Sequence, residues 1–142
     1  MNGRRLVVAF LALVAIFAVA LVYFQVFAFY ERTDGPGALA LPVPVAAWEG
    51  IDAPTSPLKL RACFETDPAA AATLEPAPDA APLNPPFWFR CFESGGLTED
   101  LDAGRASAYA VARDVPDGFD LMLAVYPDGR AFLWRQLNER FR

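Results

Sequence analysis

Cys63 and Cys91 are the two residues of this chain best equipped for chemistry, and histidine, the commonest general base, is absent. Without histidine there is no Ser-His-Asp catalysis, phosphohistidine or His-ligated haem, and most zinc sites are excluded. The cysteines lie 28 residues apart, which is not the Cys-x-x-Cys of a redox enzyme, and two thiolates do not close a zinc site. Their contexts are alike, Arg61-Ala62-Cys63-Phe64-Glu65 and Phe89-Arg90-Cys91-Phe92-Glu93. In an oxidising compartment the economical reading is one structural disulfide; the alternative is a pair of buried thiols packing as small hydrophobes.

The other reactive groups have no partners of the usual kind. Ser56, Ser94 and Ser107 have no base to activate them, and no Gly-rich phosphate loop occurs. Two acidic sets, Glu99 with Asp100 and Asp102, and Asp114 with Asp117 and Asp120, lack the spacing and distal Glu of a calcium hand. They read as solvated surface. The best candidate for a contact surface is Phe87-Trp88-Phe89 after two prolines. Strand alternation would send Phe87 and Phe89 one way and Trp88 the other, with exposed aromatics acting as binding anchors. In the competing reading all three fill the core beside the cysteines. Arg135, Arg140 and Arg142 read as charges that keep an end strand and tail soluble.

These groups must be positioned by two unlike segments. Residues 6–30 are apolar except for Gln25, and at 1.5 Å per residue they make roughly 37 Å of helix, enough to cross a hydrocarbon core of about 30 Å. Residues 1–5 contain Arg4 and Arg5 and are predicted to stay in the cytoplasm. Tyr23, Phe24, Phe27, Phe29 and Tyr30 then form an aromatic belt at the far interface. Ala18-Val19-Ala20 has the small-x-small form of a signal-peptidase site, but the apolar run continues well past it, so an uncleaved anchor is expected. The spacing of Ala9, Ala12, Ala15 and Ala18 reads as composition rather than a helix-pairing motif.

Beyond residue 30 lie all 17 acidic residues but ten basic ones, a net charge of −7 that argues against nucleic acid and anionic lipid headgroups as binding partners. Residues 31–46 are expected to be a linker and extended arm, because Pro42 and Pro44 interrupt the alternation in 38–45 and confine it to an edge. Residues 47–142 are expected to form an α+β domain, a small, mostly antiparallel sheet of about four or five strands with one or two short helices. Residues 58–64 alternate as a strand with Leu58, Leu60, Ala62 and Phe64 on one face and Cys63 on the other. Asp67-Pro68 can start a short helix, 75–86 is a proline-rich surface loop, and 87–92 reads as a second strand. A helix over 97–103 is predicted with Thr98 or Ser94 as its cap and Gly104 as its stop. Pro116-Asp117-Gly118 and Pro127-Asp128-Gly129 then divide three strands of an antiparallel meander. In the last strand both faces are apolar, Phe132 and Trp134 on one and Leu133 on the other.

The order of these motifs resembles an uncharacterised family of single-span, membrane-anchored proteins from alphaproteobacteria of the Rhodobacter group. The matching features are the Asn2-Gly3-Arg4 start, Gln25 to Tyr30, Ser56-Pro57 leading to Arg61-Ala62-Cys63-Phe64, Trp88-Phe89-Arg90-Cys91-Phe92, and Ala124-Val125-Tyr126-Pro127-Asp128-Gly129-Arg130. The resemblance implies no established activity.

The function expected is non-enzymatic, with no cofactor or metal. A domain held in the periplasm by an inner-membrane anchor, with lipid around residues 6–30, would dock on another membrane or envelope protein as an accessory or assembly subunit. The alternative is a small-ligand binder or sensor with a pocket near Trp48, Trp88 and Trp134.

Overall fold

The computed structural model describes residues 2–142 and divides the chain into two compact units that meet between Tyr30 and Glu31. In the first, helix α1 (Gly3–Val22) is capped by Asn2, whose side chain accepts from the Arg4 N–H, and runs on into a π-helical turn over Tyr23–Phe27. The helix therefore takes in Arg4 and Arg5 and stops short of Tyr30: Ala28 is already extended, and Phe29 follows with a positive φ of 70°. Gly3–Phe27 is long and apolar enough to cross a membrane, with a mean hydropathy of 3.0 and no side chain buried in protein.

The second unit is α+β. Seven strands, β1 (Glu31–Thr33), β2 (Ala46–Asp52), β3 (Arg61–Glu65), β4 (Glu75–Pro76), β5 (Ser107–Ala112), β6 (Phe119–Val125) and β7 (Arg130–Leu137), form one antiparallel sheet in the order β1-β2-β3-β7-β6-β5-β4. The meander is the centre of it. Gly118 and Gly129 end its two Pro-Asp-Gly turns at φ of 88° and 96°, a region open to glycine at no steric cost. Two short helices, α2 (Pro68–Ala71, capped by Asp67) and α3 (Ser94–Asp102), lie between strands.

Three expectations are corrected. The sheet has two strands more than the larger number expected, because β1 and β4 are edge pieces of only three and two residues. Residues 31–46 are not a linker but part of the folded domain. Arg32 and Thr33 pair with Ile51 and Gly50, the Trp48 indole N–H donates to Thr33 Oγ1 at 3.0 Å, and 38–45 is an irregular arm that packs on the sheet. Residues 87–92 form turns, not a strand, since the Phe89 N–H bonds back to the Pro86 carbonyl.

The sheet has two buried faces. On one, Leu60, Ala62, Phe64, Leu121, Leu123, Val125, Ala131 and Leu133 meet Val43 and Ala71, with Leu39, Leu41, Val45, Trp48 and Leu74 packed around them. The arm and α2 thus roof this face together. On the other, register brings Arg61, Met122 and Trp134 into line, and Cys63 beside Phe132. This face is roofed by the chain from Ala77 to α3. Phe92 meets the rings of Phe132 and Trp134 edge-on at 5.9 and 6.1 Å, and Gln136 bonds to Asp79 and Ala81 in the proline-rich loop. The two short helices therefore sit on opposite faces.

Candidate functional site

The segment singled out by its aromatics lies in the roof of this second face, and four devices fix it. Cys63 and Cys91 form a disulfide with Cα atoms 6.2 Å apart. Period two puts Arg61 on the Cys63 face, where its guanidinium is buried. There it donates to the carbonyls of Leu58, Leu60 and Leu83 at 2.5, 2.6 and 2.9 Å and lies 5.8 Å over the Phe92 ring. Ser94 Oγ donates to Asn84 Oδ1, closing the loop on the start of α3. The Arg32 guanidinium lies 5.3 Å from the centre of the Trp88 ring.

Within this frame the three aromatics diverge. Phe89 is 1 % exposed and fills the core, Trp88 is half-buried, and Phe87 stands 74 % exposed. The expected pairing of Phe87 with Phe89 on one side fails because a turn, unlike a strand, does not return every second side chain to the same face. Of the three candidate contact residues, Phe87 is the exposed one and Phe89 the buried one, with Trp88 between them in exposure. Phe87 borders an open groove of about 310 Å³, whose lining includes Pro85, Pro86, Phe89, Arg90 and Glu93. Both Glu93 oxygens accept from the N–H groups of Gly95 and Gly96 at 3.0 and 2.6 Å, so Glu93, and not Thr98 or Ser94, caps α3.

Of the two acidic sets, Asp100, Asp114, Asp117 and Asp120 take arginine partners. Arg113 bridges Glu75, Asp79 and buried Asp120 at 2.9–3.2 Å, and Asp79 also meets Arg142. The Arg113 guanidinium holds the Asp79 carboxyl below its ordinary pKa against the opposing effect of burial. Arg140 pairs with Asp114 and Asp117 at 2.5 and 2.6 Å. Asp114 is lowered chiefly by the Gly118 N–H and then by Arg140. These groups border a shallow cavity of about 400 Å³ lined by Arg113, Asp114, Asp120, Asn138, Glu139 and Arg140. In the other set, Asp100 accepts from Tyr126 Oη and pairs with Arg105, and both lower its pKa. The arginines read as solubilising charges, Arg140 and Arg142, are thus tail contacts to the domain. Among the described residues no group of three or more His, Cys, Asp or Glu side chains is placed to hold a metal ion.

The serines are local hydrogen-bonders: Ser56 Oγ accepts from the Leu58 N–H, and Ser94 is occupied with Asn84. The three tryptophans do not converge. Trp48 packs on Phe64 on the arm face, whereas Trp134 is fully buried on the opposite face against Phe92. Sequence reasoning missed Arg61, Arg32 and Asn84: Arg61 bonds to backbone carbonyls, Arg32 lies over the Trp88 ring and Asn84 accepts from Ser94 Oγ. For Arg61 the strand period was a usable signal.

The family model described as "Family of unknown function (DUF6446)" matches residues 33–142, and the chain belongs to that family. The match starts inside β1 and takes in the domain without α1. No curated protein and no solved structure matches the chain.

Proposed function

We propose that this member of the DUF6446 family is a non-catalytic, membrane-tethered docking protein, an accessory or assembly subunit of a membrane or envelope complex. The observation that carries the reading is Phe87. It is a large apolar side chain kept 74 % exposed at the rim of a groove, on a loop locked by a disulfide, by buried Arg61 and by Ser94. A rigid, preorganised aromatic loses little entropy on binding and is the usual anchor of a protein interface. Arg4 and Arg5 ahead of the apolar helix favour a cytoplasmic N-terminus, which puts the disulfide-bearing domain in the periplasm of a bacterium, anchored in the inner membrane. The alternative, a ligand pocket among the tryptophans, draws less support because Trp48 and Trp134 lie on opposite faces of the sheet.

The test is purification of the full chain from its native membrane in mild detergent. A stoichiometric protein partner should co-purify, and Phe87→Ala with Trp88→Ala should weaken its retention by about tenfold or more. Recovery of the chain alone under several gentle conditions would overturn the reading.

A further inference from the structure

We infer that residues 39–45 are a releasable strap, the chain's own occupant of a surface on the arm face that also accepts an extended segment of a partner protein with apolar side chains at alternate positions. The inference rests on the docking reading only for the existence of a protein partner; release of the strap stands on the structure of the arm. Leu39, Leu41, Val43 and Val45 turn inward and Val43 is buried, while Ala40, Pro42 and Pro44 face out. That is the alternation of a strand. The four inward side chains pack on a cluster that includes Leu60, Ala62, Leu121 and Leu133. No ladder accompanies the alternation. Among the described residues, no backbone group from Ala40 to Pro44 makes a hydrogen bond.

Both ends of the strap are strained. Ala40 and Ala47 have φ of 48° and 54°, a left-handed conformation that a Cβ makes costly. Ala47 lies in the irregularity of β2 between Ala46 and Glu49. Release relaxes both residues, so closure rests on the burial of inward side chains. A segment without backbone hydrogen bonds belongs to the low end of the range of local stabilities. The strap itself is the template for what takes its place. Its inward side chains enter at intervals of about 6.6 Å, two residues of extended chain. Proline at 42 and 44 shows that an occupant needs no N–H donor there, and proline-rich extended segments are ordered before they bind. An acyl chain has no side chains to match this spacing.

Thiol labelling of the full chain in mild detergent tests the release. Cys63 and Cys91 are joined, so Ala62→Cys and Ala124→Cys each add one reactive thiol at a fully buried position, the first on the arm face and the second on the disulfide face. With each rate corrected for that variant's own stability in denaturant, the thiol at 62 should react at least about tenfold faster than the one at 124. Equal rates would mean that both open only on global unfolding, and overturn the inference. A fluorescent peptide with the sequence of residues 37–47 tests the surface beneath. It should bind the Leu41→Ser, Val43→Ser chain, whose own strap is weakened, at least about tenfold more tightly than the unaltered chain, where the tethered strap competes. A peptide with serine at the same two positions should bind neither. Binding indifferent to the substitutions in the chain, or to those in the peptide, overturns the inference. If the doubly substituted chain unfolds, labelling at 62 still decides. Neither result bears on co-purification of a partner, by which the docking reading stands or falls.

Discussion

Leu133 and Trp134 are neighbours in β7 and both are fully buried, yet they point into different chemistry. Leu133 faces the arm side, a cluster of aliphatic side chains with Phe64 and Trp48 at its border, and residues 35–47 that cover it carry no ionisable group. Trp134 faces the disulfide side, where its indole N–H donates to Gln136 Oε1 at 3.1 Å. Around it are Arg61, buried Asp120 and the Cys63–Cys91 bond. Both roofs are proline-rich chain with little regular structure of its own. The arm packs on the sheet through Leu39, Leu41, Val43 and Val45. The other roof is held by a covalent bond and by named hydrogen bonds, and it is this roof that carries the exposed Phe87. Directional bonds fix the path of the chain on either side of Phe87, whereas the hydrophobic effect is non-directional and fixes no path by itself.

The comparison is broken most severely by truncating its two representatives in the full chain. Trp134→Ala should cost about 4 kcal/mol and Leu133→Ala about 3 kcal/mol in chemical denaturation, the ranges expected of fully buried aromatic and aliphatic side chains. Equal or inverted losses would mean that the disulfide face tolerates a cavity better than its bond network suggests. Next in size is Cys63→Ala with Cys91→Ala. Opening a 28-residue loop should cost about 3.5 kcal/mol in the chain-entropy account. Hydrogen exchange should then rise over residues 82–94, with little change over 38–45. A uniform rise over both roofs would show that the two faces unfold as one.

What could be read from the residues alone follows the same division. The meander was legible because Pro-Asp-Gly chemistry is local, and the sides taken by Leu60, Ala62 and Phe64 were legible because strand period is local. Edge strands β1 and β4 were not, since Glu31-Arg32-Thr33 and Glu75-Pro76 carry no pattern and pair only because a neighbouring strand is there. The 87–92 segment misled because consecutive aromatics imitate a strand. Its turns are imposed by Pro86, by Arg61 from β3 and by a cysteine 28 residues away. The candidate site was therefore legible as a place and not as a geometry. The sequence pointed to Phe87, Trp88 and Phe89, but which of them faced water depended on contacts from the other end of the domain.

A smaller effect sharpens the arm side. A Cβ built on Gly50 would lie 2.5 Å from both Trp48 Nε1 and Thr33 Oγ1. Gly50→Ala should push the indole off the strand, cost about 2 kcal/mol and lose the Trp48–Thr33 bond. Protection should fall at β1 and the arm, with the disulfide roof unaffected, the reverse of the cysteine pair.

Acid should loosen the disulfide roof before the arm. Asp79, in that roof, has its carboxyl held below the ordinary value of 3.8, first by the Arg113 hydrogen bond. A carboxyl lowered in the folded state favours folding at pH above its ordinary value, and the gain is lost as pH falls through the folded value. Acidification below about 4 should therefore loosen residues 75–86 before the arm. Arg113→Gln should shrink this dependence, as read by thermal unfolding across pH. An unchanged profile would remove Asp79 as its source.

The smallest effect lies at the alkaline end. Tyr126 donates to Asp100 across the gap between β6 and α3. Burial first, and then that carboxylate, push its phenol up to about 12. A raised folded pKa means that the contribution to stability is complete below pH 10 and is lost as pH rises toward 12. Asp100→Asn keeps the burial and removes the charge. The tyrosinate absorbance assigned to Tyr126, by difference from Tyr126→Phe, should then move to lower pH without reaching the value of a solvated phenol. A return to the ordinary value would show that Asp100 alone perturbs the tyrosine and that burial of its phenol contributes nothing. The disulfide side would then owe even less to apolar area than its contacts imply, and its contrast with the arm side would be wider.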